Sequence, residues 1–106
     1  MRAAGGELDI VALRSRTLHI VEVKACLATV RTGEGRAPRD AVTPLKRRRL
    51  VSAARAVAQR AAYRGRFDRV SFDVAEVTAG WGGRLRVRLL KDAFRADEVG
   101  GSSGAI

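Results

Sequence analysis

Three charged residues interrupt runs that would otherwise be apolar strands near the start of this chain. They are Asp9 within Glu7-Leu8-Asp9-Ile10-Val11, and Glu22 and Lys24 within Ile20-Val21-Glu22-Val23-Lys24. A strand repeats every two residues, so Glu22 and Lys24 share a face with Leu18 and Ile20, and Glu7 shares one with Asp9. The two segments are close enough in sequence to form an antiparallel hairpin, and an even-numbered loop brings the acidic faces to the same side. A loop at Ser15-Arg16 sets Asp9 opposite Glu22, whereas one at Arg14-Ser15 sets Glu7 there. Opposed residues have Cβ atoms about 4.5–5.5 Å apart, where like charges are destabilising. Carboxylates converging there call for a cation, and hard oxygen ligands with open positions suit Mg²⁺ or Mn²⁺. Such an ion can bridge a scissile phosphate and lower the pKa of a bound water. A lysine two residues along can orient that water, help deprotonate it or neutralise charge developing on phosphorus. A plainer reading stands beside this one: Glu22 and Lys24 form a solvated pair, and Asp9 accepts local backbone amides.

The elements that must position these residues are legible from periodicity. Glu7–Leu13 reads as a strand, with Leu8, Ile10 and Ala12 on one face and Glu7, Asp9, Val11 and Leu13 on the other. Thr17–Lys24 is β-branched and apolar, a second strand that the start of the next segment can continue through Val30. Residues 25–42 read as a loop. Thr43 caps a helix with Pro44 at its first position. It runs to about Tyr63, with Leu50, Ala54, Val57, Ala58 and Ala61 on a core stripe, and Gly65 ends it. Phe67–Val77 reads as a strand with Val70, Phe72 and Val74 inward. Gly80-Trp81-Gly82-Gly83 makes a turn. Arg84–Leu90 alternates, with Leu85, Val87 and Leu89 inward and Arg84, Arg86 and Arg88 outward. The order β-β-α-β-β predicts an α/β fold: a mixed sheet with an acidic hairpin, one basic helix and two C-terminal strands. Residues 1–98 form a single domain, and 99–106 read as a flexible tail.

Composition bounds the partners. Twenty-one Lys and Arg against 11 Asp and Glu leave a formal charge of +10 in 106 residues. Self-repulsion of that size is relieved by a polyanion, so nucleic acid is the expected partner. The Arg bias, 18 of 21 basic residues, also fits a GC-rich genome, which explains the choice of Arg over Lys and not the net excess. Lys46-Arg47-Arg48-Arg49 opens the helix, where positive charge opposes the macrodipole. Lys46, Arg48, Arg49 and Arg55 are the candidate phosphate contacts. No apolar run reaches the roughly 18 residues of a membrane span, and the N-terminus lacks the apolar region of a secretory signal. The lone Cys26 fits a reducing compartment, and the expected location is cytoplasmic. His19 lies opposite the Glu22 face and reads as packing or surface. The glycines around Trp81 have no helix after them and read as a hairpin turn rather than a phosphate loop.

Several ordered blocks together resemble the YraN-like family of small bacterial proteins. They are Gly6-Glu7-Leu8-Asp9-Ile10-Val11-Ala12, Val21-Glu22-Val23-Lys24, and Gly35, Pro38 and Ala41-Val42-Thr43. Lys46, Arg49-Leu50, Ala53-Ala54, Arg66-Phe67-Asp68 and Asp92-Ala93-Phe94 complete the set. The resemblance implies a restriction-endonuclease-like core, of the Holliday-junction-resolvase type within the PD-(D/E)xK nuclease superfamily. It implies Asp9 and Glu22 as catalytic metal ligands helped by the Val23 carbonyl, Lys24 as the catalytic lysine, and Glu7 as a lesser, supporting acid. The chain departs from the family in two ways. The family opens with a helix and a strand before the first block, elements not seen ahead of it here. Without them a sheet edge and a core face are expected to lie open, lowering stability or favouring self-association. Ala25-Cys26 stands where the family carries Thr-Arg, which removes one phosphate-contact candidate.

The leading expectation is a metal-dependent endonuclease acting on branched or structured DNA, as a homodimer. The alternative is a non-catalytic nucleic-acid-binding protein that keeps the nuclease fold. A third reading is a structural partner whose acids are ion-paired.

Overall fold

The computed structural model describes residues 1–3, 6–27 and 42–96. The elements in chain order are β1 (Arg2–Ala3), β2 (Gly6–Glu7), β3 (Ile10–Arg14), β4 (Thr17–Leu27), α1 (Pro44–Ala58), β5 (Arg69–Ala79) and β6 (Leu85–Phe94). β1 and β2 make a small hairpin, and the other strands form one sheet in the order β3-β4-β5-β6. β4 and β5 run parallel while the outer pairs are antiparallel. Parallel neighbours need a long crossover, and α1 lies within it. The result is the expected α/β class: a mixed sheet, an acidic hairpin, one helix and two closing strands.

The β3–β4 loop is the two residues Ser15 and Arg16, at φ 50° and 61°. Two positive φ values in succession are the signature of the type I′ turn, whose twist matches that of the flanking strands. Arg16 is anchored by its Nε donating to Asp68 Oδ2 at 3.1 Å and its carbonyl accepting from Asp68 N at 2.9 Å. The predicted single strand over Glu7–Leu13 is broken at Leu8-Asp9. Leu8 is fully buried whereas Ile10 is 46% exposed, so the two do not share a face. The reason is local. Leu8 exchanges backbone bonds with Met1, and the Asp9 carboxylate, rather than its backbone, meets β4.

Thr43 caps α1 through its side chain, which accepts from Lys46 N at 3.2 Å, with Pro44 in the first turn as expected. The helix buries Leu50, Val51, Ala53, Ala54, Val57 and Ala58, then ends at Gln59 rather than at Tyr63. On a continued helix Tyr63 would point roughly 220° away from Leu50, into solvent. The tight turns over 59–66 instead bring Tyr63 against the core, and Ala61 is left exposed. Strand β4 extends three residues beyond Lys24, to Leu27. The remainder of the predicted 25–42 loop up to 41, and the predicted tail, lie outside the described residues.

The core joins α1 to one face of the sheet, through Leu18, Ile20, Phe72, Val74 and Phe94. Register extends that face to Val11 and Leu13 on β3 and Leu90 on β6. Here β6 departs from expectation. Leu85, Val87 and Leu89 pair with Ala79, Val77 and Ala75, which lie on the face opposite the helix. Leu85 and Val87 are 68% and 67% exposed. Alternation distinguishes two faces of a strand but does not say which one a helix covers. Arg86 and Arg88, read as outward, therefore share the helix side with Val74 and Glu22.

On the open face, one β5 residue, Asp73, lies where β6 bulges between Leu90 and Phe94. Asp73 is 2% exposed; its Oδ1 accepts from Asp92 N (2.9 Å) and Ser71 Oγ (2.5 Å), and His19 Nδ1 lies 2.9 Å from Oδ2. Asp92 holds the bulge at φ 51° and is itself paired with Arg69. Asp73→Ala removes the acceptor that these donors share; Ser71 Oγ keeps Asp92 Oδ1 at 3.1 Å, and a donor left unpaired away from water costs about 1–3 kcal/mol. A drop of at least that size in unfolding free energy is expected by urea titration; an unchanged midpoint would show the bulge to be self-supporting. Among the described residues no helix is long and apolar enough to cross a membrane.

Candidate metal and phosphate site

The hairpin register brings the two acidic segments together. Ile10 pairs with Val21 and Val11 with Ile20, as the Ser15-Arg16 loop requires, and Asp9 lies at the break just beyond the last paired position. Asp9 Oδ2 accepts a 2.9 Å hydrogen bond from Val23 N. The carboxylate takes over a ladder bond at the point where the strand breaks, and this fixes it beside the Glu22–Lys24 segment. Asp9 thus does what the plainer reading allowed, accepting a backbone amide, and does so at the position the metal reading needs.

Glu22 is 5% exposed. A buried carboxylate stays charged only when paired, and two ammonium groups pair it: Lys46 Nζ at 2.5 Å and Lys24 Nζ at 3.5 Å, both on Oε2. Lys46 comes from the first turn of α1, which contains no acidic residue. Glu22 therefore supplies, from β4, the negative charge that the positive end of the helix favours. The two lysines titrate in opposite directions from the usual range. Lys24 is held below the usual lysine range, first by its hydrogen-bonding contact with Lys46 and then by burial. Lys46 is held above it, first by its bond to Glu22, with the charge of Asp9 adding to the effect.

The other candidates are distributed differently. Glu7 lies on β2, largely exposed, 3.9 Å from Arg2; among the described residues no third acid, histidine or cysteine joins a metal-binding group. Lys46 is drawn into the acidic site rather than left on the outer helix surface. Arg48 and Arg49 are exposed. Arg55 is half-buried, with Nε and Nη2 shielded and unpartnered among the described residues, so it is not free to reach a phosphate as Arg48 and Arg49 are. Glu76, which the sequence reading did not single out, pairs in register with Lys24 on one side and Arg88 on the other. No local signal marks it, because the parallel β4–β5 register is set by a crossover and not by a turn.

The donor set fits a hard divalent cation. Two carboxylates are held close by, Asp9 on the Val23 amide and Glu22 on the Lys24 and Lys46 ammonium groups. Charged oxygen is the ligand type Mg²⁺ and Mn²⁺ take, with water in the remaining positions. The site is also already balanced by cations, since Lys24 and Lys46 stand where a bound ion would share the carboxylate charge.

A family model described as uncharacterised protein family UPF0102 matches residues 1–77. The chain belongs to this family. The matched UPF0102 block holds Asp9, Glu22, Lys24 and Lys46 and stops before β6. A UPF0102 protein of Symbiobacterium thermophilum is 40% identical over 99 residues, covering 91% of this chain and 76% of the relative. One from Acidiphilium cryptum is 39% identical over 98 residues, with 92% and 67% covered. One from Geobacter sulfurreducens is 39% identical over 94 residues, with 88% and 68% covered. These UPF0102 relatives are longer than the present chain. The YraN-like resemblance of the motifs is to this same family. No solved structure matches the chain.

Proposed function

We propose that this UPF0102 member is a metal-dependent endonuclease that hydrolyses phosphodiester bonds in DNA, with branched or otherwise structured DNA as its substrate. The observation that carries the reading is the Asp9 carboxylate bonded to the Val23 amide, which adjoins Glu22 in sequence, with Lys24 Nζ 3.5 Å from Glu22 Oε2. Asp9 and Glu22 would hold Mg²⁺ or Mn²⁺, with the Val23 carbonyl as a further ligand. Once held, the ion supplies an activated water and a positive charge at the scissile phosphate. Lys24 orients the attacking water or neutralises charge on the phosphoryl oxygens. The +10 balance and the exposed Arg48 and Arg49 favour a polyanionic backbone beside the site.

One observation favours a second reading. The 2.5 Å contact of Lys46 with Glu22 gives the buried acid an internal counter-ion, as a nucleic-acid-binding protein without catalysis would need. Lys24→Met separates the two. Under the nuclease reading, Mn²⁺-dependent cleavage of a four-way DNA junction falls on the order of 10²–10⁴-fold, the usual scale for losing a proton-handling group, while Mn²⁺ affinity persists. A wild-type protein that binds the junction and leaves it intact in Mn²⁺ would establish the non-catalytic reading.

A further inference from the structure

We propose that Arg86 and Arg88 on β6 form a phosphate-binding rail continuous with the Glu22–Lys24 site, taking the sugar–phosphate backbone of DNA. The inference rests on the nucleic-acid reading above and adds a surface outside the block matched by the family model. It starts from the inversion of β6. Register runs Lys24–Glu76–Arg88 across three strands, and Cys26–Thr78–Arg86 one step further along. Arg88 thus lies on the same sheet face as Lys24, two strand spacings or about 10 Å away. Arg86 and Arg88 are both exposed and form no ion pair among the described residues.

Other arginines of the chain are committed to the fold. Arg16 pairs with Asp68, Arg69 with Asp92, and Arg60 and Arg66 donate to the Arg2 and Ala62 carbonyls. Glu76 pairs in register with Lys24 and Arg88, and Thr78 with Arg86; Lys24, Lys46, Arg86 and Arg88 against Asp9, Glu22 and Glu76 leave one positive charge in excess across site and rail. Charge on an edge strand also discourages edge-to-edge pairing. That function is indifferent to which face bears the charge, whereas here the arginines lie on the face of the carboxylate site and Leu85, Val87 and Leu89 on the other. A backbone crossing the site would meet the guanidinium groups next, and arginine's planar fork matches phosphate oxygens.

The test compares Arg86→Gln/Arg88→Gln with a charge-matched control, Arg14→Gln/Arg64→Gln. Arg14 and Arg64 are exposed, on the opposite sheet face and in the turn after α1. Binding to a labelled DNA duplex is followed by anisotropy from about 50 to 200 mM salt, and Mn²⁺ binding by calorimetry. Each lost phosphate contact flattens the plot of log K against log salt by about 0.9. The rail variant is expected to lose roughly 1.8 from the slope, the control little, and both to keep wild-type Mn²⁺ affinity. Equal changes in the two variants would overturn the rail while leaving the metal site standing. Loss of slope in the rail variant alone, in a protein that binds no Mn²⁺, would keep the rail and remove the nuclease reading. A wild-type protein that does not bind DNA even at the lowest salt overturns the rail.

Discussion

Glu22→Gln and Asp9→Asn are each expected to abolish Mn²⁺ binding measured by calorimetry at near-physiological salt. Both changes keep shape and remove one charge. Loss of outer partners at metal sites costs about 10–100-fold in affinity, so loss of a charged ligand from a two-carboxylate site should exceed about 100-fold. The variants should differ in stability. Asp9→Asn keeps a carbonyl oxygen for the Val23 amide, so this variant should unfold close to wild type. Glu22→Gln leaves the Lys24 and Lys46 ammonium groups around a neutral amide at a position 5% exposed. Breaking a buried pair from one side costs about 3–5 kcal/mol when the remaining charge stays buried. Lys46 and Lys24 are both partly exposed and can turn to water, so the cost here should be well below that. Mn²⁺ binding that survives both substitutions would remove these carboxylates as ligands. Weak binding by the wild type that strengthens in Lys46→Met would instead identify Lys46 as a tethered competitor for Glu22.

How far the site was legible in the sequence depends on which interactions set each part. The β3–β4 register, with Ile10 opposite Val21, follows from loop parity and a two-residue turn, all within one short hairpin. Thr43 and Pro44 announced the helix start because capping chemistry is local. Lys46 was legible as a basic residue and not as the partner of Glu22, since that contact needs the crossover to bring α1 over β4. The helix end was misplaced because an alanine-rich stripe continues to Ala61, while the turn is decided by where Tyr63 and Phe67 find the core. The β6 faces were inverted for a related reason. Leu85, Val87 and Leu89 look like a core stripe, yet α1 covers the other face, with Phe72, Val74 and Phe94. Local rules set the catalytic-looking constellation, and tertiary placement decided its counter-ions and its basic surroundings.

That placement makes Phe72→Ala the most damaging single change expected in the molecule. Phe72 is 1% exposed in the middle of the sheet and stacks on Phe94, with ring centroids 4.9 Å apart at an interplanar angle of 20°. The Arg47 guanidinium caps the outer ring, 5.2 Å from the Phe94 centroid. Truncating a buried Phe to Ala costs about 3–5 kcal/mol, from lost transfer energy and the cavity left behind. A chain of this size has on the order of 5–15 kcal/mol to lose, and its modest core puts it toward the low end. Phe72→Ala should therefore lose its cooperative urea transition or show a midpoint less than half that of wild type. Leu85→Ala and Val87→Ala, at exposed positions, should change unfolding free energy by no more than about 0.5 kcal/mol. The sequence pattern alone ranks these three side chains together as inward-facing. A large loss from Leu85→Ala would mean that something covers the open sheet face in solution, and the self-association expected from the motif comparison would then be tested at that face by sedimentation.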